Sequence, residues 1–360
     1  MKVLFVFILP SGGVDTLNRL RYKALLPVGI FSHFLYFQRG SGSSSLPPEV
    51  PVFYASDPLA IQHILNFYSF DVIVVTSFFI QVPLFRQLGF TKPILFEIQG
   101  FGLQENARHN LIEAQPYLND NVNAIIYPKT PHIGALLQEL YTHKPKFAFS
   151  NPFDPDSFVS PLPAPLSSYP PLAWIGRLED NKNWRDFLRI GAEVIKLIPS
   201  VRLWMFSDPE LALPGETEEL FQWSIGLGLT TRITHFYNVP HDQMPSHYEQ
   251  IALSGGVLCM TSKAEGAPYV ALEALNCGCP IVTSDSDGVK SAIIDEVTGL
   301  YYDHGDIVGA AEQIVRLMTT EKLRRNLVNA GKKHVRSDFS MEKYAYQFSD
   351  MLIAVGVHPC

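Results

Sequence analysis

The stretch that decides the fold lies at residues 257–283 and reads VLCMTSKAEGAPYVALEALNCGCPIVT. Its apolar ends predict two buried strands, and the longer segment between them predicts a helix. Pro268 suits the first turn of that helix, Gly278 suits its C′ position, and Pro280 cannot continue it. The predicted elements are a strand at 257–261, a helix at 268–277 and a strand at 280–283. Strand, helix and strand in this order predict a βαβ unit with parallel strands.

The same alternation of short apolar runs and longer amphipathic stretches extends outward through the chain. The first half has predicted strands at 2–9, 34–37, 51–54, 71–76, 93–98, 123–127 and 146–149, and helices at 13–26, 57–67, 79–88 and 131–141. The second half adds strands at 172–176, 201–206 and 233–236, and helices at 183–197, 216–228, 244–252, 306–318, 320–334 and 340–355. This pattern predicts an α/β chain with two doubly wound, Rossmann-like sheets.

A boundary between the two sheets is marked by residues 150–171, whose seven prolines exclude a continuing helix or a central strand. The length of 360 residues also favours two domains with separate cores. The predicted organisation is an N-terminal domain at 1–150, a proline-rich linker at 151–171, a C-terminal domain at 172–339, and a last helix at about 340–356 that returns to the first domain. We expect a ligand cleft where the carboxyl ends of the two sets of strands face each other.

The composition restricts the class of partner. The net charge is −7, with a net +2 in residues 1–150 and −9 in the remainder, so we expect no binding of nucleic acid. The mildly basic first half is compatible with a peripheral contact with anionic lipid or with a phosphate-bearing acceptor. The Gly- and Ser-rich segment at 40–45 is interpreted as a surface connection, with a lid as the alternative.

The cysteines and the N-terminus indicate the compartment. Four cysteines at Cys259, Cys277, Cys279 and Cys360 have neither a disulfide framework nor zinc spacing, and we interpret them as reduced core residues of a cytoplasmic protein. The N-terminal run MKVLFVFILP lacks a small-residue cleavage site and favours a buried strand over a signal peptide. No apolar run approaches the roughly 20 residues of a membrane span. A location at the inner face of the membrane stays open.

Two cations follow the first strand of the second half. Gly176 begins the loop that contains Arg177 and Lys182, five residues apart. Arginine offers a fork for phosphate oxygens and lysine a point charge, so the pair could converge on one anion. The alternative is two solvated loop cations.

Two glutamates flank the start of the helix in 257–283. Glu265 lies in the preceding loop, and Glu273 lies more than a turn inside the helix. The backbone N–H groups from Gly266 to Val270 are positioned to bind a diphosphate at a helix N-terminus. Glu273 could then accept hydrogen bonds from a ribose, and Glu265 from a sugar. The alternative is that one carboxylate stabilises the helix dipole and the other is an exposed helical residue.

Glu265 and Glu273, with seven residues between them and ALNCGCPIV following, resemble the paired-glutamate signature of retaining GT-B glycosyltransferases, closest to glycosyltransferase family 4 (glycosyl transferases group 1). Arg177 and Lys182 are similar to the phosphate-binding pair of that family. Further similarities are Gly12-Gly13 after the first strand, the segment 151–158, and Thr298-Gly299-Leu300 with Asp303. The resemblance covers nearly the whole chain, with specific motifs in 172–305.

The resemblance implies transfer of a hexose-type sugar, with retention, from a UDP-sugar such as UDP-glucose to a glycan, lipid-linked or small glycoside acceptor. It implies no cofactor and no metal, because Arg177, Lys182 and the helix N-terminus would stabilise the leaving diphosphate. The implied catalytic residues are Arg177, Lys182, Glu265 and Gln99. The implied donor-binding residues are Gly12, Gly13, Gly176, Phe206, Tyr237, Asn238, Val239, Met244, Gly266, Ala267, Pro268, Tyr269, Val270 and Glu273.

One departure concerns Gln99, which stands where the family usually has a histidine near the reacting sugar. Glutamine can hydrogen-bond a hydroxyl but cannot carry charge. Gln99 therefore leaves open a module that binds a nucleotide sugar without turnover. A GT-B epimerase or phosphorylase is the other alternative, but an epimerase should offer several acids and histidines around the sugar, and Gln99 argues against it. The acceptor segments 12–22, 38–50 and 99–112 match nothing specific.

Two Asp-x-Asp sequences, at 154–156 and 285–287, resemble a metal motif but stand at turn signals, so we interpret them as caps and turns. The histidines show no metal spacing. His109 and His132 are considered either acceptor-side groups or plain surface histidines.

Overall fold

The computed structural model describes residues 1–10, 12–40 and 46–358, apart from the side chain of Gln104. The chain divides into two compact units. The first consists of Met1–Asp154 with Asp338–Cys360, and the second of Pro155–Ser337. Cys360 and most of the Gly- and Ser-rich segment at 40–45 lie outside the described residues.

The first unit contains a seven-stranded parallel sheet. Its strands are β1 (Lys2–Phe7), β2 (Phe31–Tyr36), β3 (Val52–Tyr54), β4 (Val72–Thr76), β5 (Ile94–Glu97), β6 (Ala124–Tyr127) and β7 (Lys146–Ala148). Its helices are α1 (Gly12–Leu25), α2 (Pro58–Tyr68), α3 (Val82–Gln87), α4 (Gln104–Leu118) and α5 (Pro131–Leu140). The strand order β3-β2-β1-β4-β5-β6-β7 reverses beside β1, the switch point of a doubly wound sheet.

The second unit contains a six-stranded parallel sheet in the order β10-β9-β8-β11-β12-β13. Its strands are β8 (Pro171–Ile175), β9 (Arg202–Ser207), β10 (Ile233–Tyr237), β11 (Val257–Met260), β12 (Ile281–Ser284) and β13 (Leu300–Tyr302). Its helices are α6 (Trp184–Leu197), α7 (Glu216–Gly226), α8 (Met244–Leu253), α9 (Tyr269–Asn276), α10 (Ile307–Thr319) and α11 (Glu321–Asp338). The expected fold class, two Rossmann-like sheets with helices, is confirmed.

The last helix, α12 (Met341–Ala354), belongs to the first unit. Its buried face packs with β1 and β2, and the ring centroids of Phe348 and Phe5 lie 5.8 Å apart. Since the central strands are covered on both faces, they are continuously apolar, as the run Val3–Val6 at 0–1% exposure illustrates. The N-terminal run therefore forms the buried strand that its composition favoured.

Two segments differ from the sequence-based expectation. The segment 99–112, expected as an acceptor loop, is helical from Gln104 onward, because α4 buries Ala107, Leu111, Ala114 and Leu118 on one face. The helix expected at 79–88 is split into a 3₁₀ turn at Phe79–Gln81 followed by α3.

Candidate functional site

The loop after β8 is built around a glycine and a lysine. A Cβ added to Gly176 would lie 3.0 Å from the Trp174 ring and 3.2 Å from Cγ of Lys182, so the missing side chain leaves room for the lysine stem. The backbone N–H of Gly176 donates to the carbonyl of Phe206 at 3.1 Å, which fixes the loop to the end of β9. The loop ends at Asn183 in a left-handed conformation (φ 51°), directly before α6.

This loop is joined to the loop after β11 by hydrogen bonds. The Asn181 amide donates to the carbonyl of Ala264 at 3.1 Å and accepts from the Ala264 N–H at 3.1 Å. The Trp174 indole donates to the Thr261 hydroxyl at 3.1 Å, and that hydroxyl donates to the carbonyl of Lys182 at 2.9 Å. Two loops far apart in sequence therefore form one rigid structure at the carboxyl edge of the sheet.

Lys182 and Glu265 meet at this junction. Lys182 Nζ lies 2.5 Å from Glu265 Oε1, and the two side chains are 24% and 11% exposed. Charge-assisted bonds of this kind are short and about twice as strong as neutral ones. The structure thus brings together two of the four residues expected to be catalytic.

Arg177 is placed differently. Its side chain is 58% exposed and pairs with Glu179 at 3.1 Å. An ion pair in this environment contributes only about 0–1 kcal/mol, so the guanidinium can leave it for another anion at small cost.

Glu265 is held by its backbone as well as by Lys182. Its N–H donates to the carbonyl of Ser286 at 3.0 Å. A Cβ added to Gly288 would lie 1.9 Å from the carbonyl oxygen of Glu265, so only glycine permits this close approach. Gly288 was not among the expected site residues, because nothing in its local sequence indicates which segment it approaches.

Helix α9 begins beside Glu265. Gly266 and Ala267 are half-buried, Pro268 is the N-cap residue without a side-chain cap bond, and Tyr269 and Val270 form the first turn. A helix N-terminus carries a partial positive charge and N–H donors that favour anions. Pro268 was expected inside the first turn of α9 and stands one residue before it, because the helix begins at Tyr269.

Glu273 lies in the second turn of α9 and is only 6% exposed. His241 Nε2 donates to Glu273 Oε1 at 2.9 Å, and the Tyr248 hydroxyl donates to Oε2 at 2.9 Å. Burial, together with the neighbouring Glu273 carboxylate, holds the pKa of Tyr248 well above its ordinary value, so the phenol keeps the hydrogen it donates. Sequence reasoning missed both partners, since neither has a local motif.

The residues expected around the nucleotide base fall into two groups. Phe206 and Met244 are buried, and one face of the Phe206 ring stacks on Phe236 with centroids 4.5 Å apart. Tyr237 is 50% exposed at the end of β10. Asn238 has a φ of 51° and donates its N–H to the carbonyl of Ser207, and Val239 follows it, half-buried.

In the first unit, Gln99 follows β5 and forms a reciprocal amide pair with Asn151. The Asn151 amide donates to Gln99 Oε1 at 2.7 Å, and the Gln99 amide donates to Asn151 Oδ1 at 3.2 Å. Gly12 and Gly13 are exposed in the first turn of α1, and Gly12 has a φ of 60° that favours glycine.

A buried ion pair lies behind Gln99. Arg21 of α1 donates to both carboxylate oxygens of Glu97 at 2.8 and 2.9 Å, and the Thr76 hydroxyl donates to the same carboxylate at 2.7 Å. Arg21 and Glu97 are 0% and 2% exposed. The pair fixes α1 against the carboxyl end of β5, two residues before Gln99.

The acidic sequences that resembled metal motifs have protein partners. Asp285 pairs with Lys290 at 2.8 Å, Asp154 with Lys23 at 3.4 Å, and Asp156 with Arg336 at 2.9 Å. Within residues 1–10, 12–40 and 46–358, no group of three or more histidine, cysteine, aspartate or glutamate side chains is arranged to hold a metal ion.

The remaining expectations concern histidines and cysteines. His109 is 80% exposed beside Glu113, and partial burial lowers the pKa of His132. Cys259, Cys277 and Cys279 are free and buried, as expected of small core residues. Among the described helices, none is both long and apolar enough to cross a membrane.

Comparison with solved structures defines the fold. The structure superposes on a sucrose-phosphate synthase from Thermosynechococcus elongatus with a TM-score of 0.82, at 17% identity over 99% of each chain. It superposes equally well on Anabaena HepE in complex with UDP-glucose, with a TM-score of 0.82, at 17% identity over 98% of this chain and 100% of that one. The chain therefore has the GT-B fold, two Rossmann-like domains in one polypeptide.

Sequence comparison relates the second unit to a family. Residues 168–334 match the family model described as glycosyl transferases group 1. A D-inositol 3-phosphate glycosyltransferase from Salinispora tropica is 29% identical over 184 residues. That alignment covers 50% of this chain and 37% of the relative, so the chain spans well under two thirds of the length of that relative.

Proposed function

We propose that this chain is a retaining glycosyltransferase that moves a hexose-type sugar from a UDP-sugar donor, such as UDP-glucose, to an acceptor hydroxyl. The observation that carries the proposal is the pair formed by Lys182 and Glu265, 2.5 Å apart beside the N-terminus of α9. A cation, a carboxylate and helix N–H donors meet there at the carboxyl edge of a parallel sheet, where such sheets bind ligands.

A bound donor diphosphate would replace Glu265 as the anion that pairs with Lys182. In the free protein, Glu265 neutralises Lys182 at 2.5 Å. A bound diphosphate offers Lys182 a stronger anion, which releases the carboxylate of Glu265 to accept a hydroxyl of the sugar. Arg177 can turn from Glu179 to the same phosphate, because an exposed ion pair costs little to break.

Charge stabilisation would drive the reaction. When the bond to the anomeric carbon breaks, negative charge develops on the leaving diphosphate. Lys182 and the N-terminus of α9 would stabilise that charge from fixed positions, and Arg177 would join them after leaving Glu179, so we propose that no divalent cation is required. The leaving phosphate can take the proton of the attacking hydroxyl, which would account for retention without a strong general base.

The acceptor would be a glycan, a lipid-linked sugar or a small glycoside of surface polysaccharide, glycolipid or glycoside synthesis. We assign it to the carboxyl edge of the first sheet, where Gln99 and Asn151 present amide groups suited to sugar hydroxyls. The UDP-glucose bound by HepE supports the donor class. The name of the Salinispora relative supports a small phosphorylated polyol among the acceptors to be tried.

A thermal-shift panel tests the donor class. UDP and UDP-glucose should raise the melting temperature, whereas GDP and ADP species should not, because only a ligand that binds the native state stabilises it. At a hundredfold excess over Kd the stabilisation is about 2.7 kcal/mol. Absence of any shift with uridine nucleotides contradicts the proposal. Binding of UDP-glucose without release of UDP, in the presence of a panel of acceptors, would instead indicate a binding module.

A further inference from the structure

Glu273 is a buried carboxylate whose hydrogen-bond partners are a histidine and a tyrosine. At 6% exposure it is among the most buried acidic side chains of the second unit. Among the described residues, no lysine or arginine forms an ion pair with Glu273. Its two oxygens accept hydrogen bonds from His241 and Tyr248, both at 2.9 Å. Because burying a carboxylate is costly unless it is hydrogen-bonded, these two donors offset part of that cost.

The two donors leave part of the carboxylate available. Among the described residues, each oxygen of Glu273 accepts one bond, while a carboxylate has about four acceptor positions in all. Two positions therefore remain, a number that matches the two adjacent hydroxyls of a ribose. The carboxylate can only accept, so the hydrogen of His241 must be on Nε2.

His241 lies at the edge of this group, and Tyr248 lies inside it. The side chain of His241 is 48% exposed, whereas Tyr248 is fully buried. His241 stands in the 3₁₀ turn that follows β10, beside Tyr237 and Asn238, the residues expected to contact the base. A ligand that reached Glu273 from this side would pass the histidine ring.

The ring of Phe158 packs against the ring of His241. Its ring centroid lies 5.1 Å from that of His241 and 6.2 Å from that of Tyr248. The Asn276 amide, three residues after Glu273 on α9, donates to the carbonyls of Phe158 and Pro155 at 2.9 and 3.0 Å. Helix α9 thus fixes the carboxylate and, through Asn276, the residue that supports the carboxylate's partner.

We infer that His241 is a positioning residue for the donor nucleoside. Its Nε2–H orients Glu273 so that the remaining acceptor positions receive the 2′- and 3′-hydroxyls of a ribose, which makes the site selective for ribonucleotides over 2′-deoxyribonucleotides. The inference rests on the proposed function, since it assigns a nucleoside diphosphate to this pocket. The selectivity depends on the orientation of Glu273, and not on its presence alone.

Calorimetric titration with UDP and with 2′-deoxy-UDP tests the inference. The unsubstituted chain should bind UDP about ten- to a hundredfold more tightly, the range expected for one hydroxyl that donates to a charged acceptor. In His241→Ala the preference should fall to within about threefold, mainly through weaker UDP binding. His241→Gln, whose amide can donate from nearly the same position, should restore most of it.

Two further variants separate positioning from folding. His304→Ala removes an exposed histidine of the same unit and should leave both affinities unchanged. Tyr248→Phe removes the other donor and should lower the preference in the same direction as His241→Ala.

The inference is overturned if His241→Ala binds UDP and retains the full preference, or if His241→Gln behaves like His241→Ala. An unsubstituted chain that binds UDP with no preference also overturns it, although the proposed donor class then survives. If the unsubstituted chain binds no nucleotide, both the inference and the proposed function fail.

Discussion

The ion pair between Arg21 and Glu97 allows a prediction whose size follows from burial. Both side chains are at most 2% exposed, and Arg21 bonds to both carboxylate oxygens. Glu97→Gln removes the negative charge that the buried Arg21 guanidinium contacts at 2.8 Å. Breaking a buried pair from one side costs about 3–5 kcal/mol, so we expect the free energy of unfolding of the first unit to fall by that amount.

The chain contains a matched control. Arg108 and Glu139 form a similar two-bond pair in the same unit, at 2.9 and 2.6 Å, but their side chains are 48% and 54% exposed. Glu139→Gln should cost at most about 1 kcal/mol, because solvent screens the pair and rehydrates the remaining arginine. The two substitutions change the same atoms, so the difference between them measures burial.

Urea unfolding followed by circular dichroism measures both effects. All four tryptophans, Trp174, Trp184, Trp204 and Trp223, lie in the second unit, so their fluorescence follows that unit. Because tryptophan fluorescence follows the second unit, Glu97→Gln should lower the urea midpoint of the first unit, measured by circular dichroism, more than it lowers the urea midpoint measured by fluorescence. The double variant Arg21→Met with Glu97→Leu should recover much of the loss, because an apolar pair needs no desolvation of charge. A loss below about 1 kcal/mol for Glu97→Gln would refute the reasoning.

Three further predictions concern the second unit and the reaction. Gly288→Ala should weaken donor binding and destabilise the second unit by roughly 1–3 kcal/mol, since its Cβ would displace the Glu265 carbonyl, and calorimetry with urea titration measures both. Burial lowers the pKa of His235 and of His247, so the unfolded chain binds protons more readily than the folded one. The free energy of unfolding followed by tryptophan fluorescence should therefore fall as the pH drops below about 6.5. Gln99→Ala should slow sugar transfer in an acceptor assay and leave the Kd for UDP unchanged, because we assign its amide to the acceptor side.

Each of these has a contradicting result. A Gly288→Ala chain with unaltered UDP affinity would separate Glu265 from the donor site. Stability that stays level or rises on acidification from pH 7 to 5.5 would conflict with the lowered pKa values. Loss of UDP affinity in Gln99→Ala would move that residue to the donor side.

Much of the fold follows from the sequence, because buried parallel strands are short apolar runs bounded by turn residues. The run at 257–261 and the prolines and glycine around α9 predicted a strand and a helix that the structure reproduces to within one residue. Helix α4 was missed because it is mostly polar and contains Pro116, although Ala107 and Leu111 repeat at helical spacing. Strand β13 was also missed, because Thr298-Gly299-Leu300 at its start was interpreted through its resemblance to a turn.

The sequence predicted some residues of the site and missed others. Lys182 and Glu265 were identified from their loops and meet as an ion pair. The partners of Glu273, His241 and Tyr248, lie 32 and 25 residues away from it in sequence. Tyr248 belongs to α8, which packs against α9, and His241 belongs to the 3₁₀ turn directly before α8. Such contacts depend on how helices cover a sheet, which spacing along one chain does not specify.

The most direct test of the central claim is calorimetric titration of UDP-glucose into the unsubstituted chain, Lys182→Ala and Lys196→Ala. Lys196 pairs with Glu193 on the exposed face of α6 and serves as the matched control. We predict that Lys182→Ala binds roughly ten- to a hundredfold more weakly, or not measurably, while Lys196→Ala binds like the unsubstituted chain. Equal affinity in all three proteins would contradict the assignment of the donor diphosphate to Lys182 and Glu265.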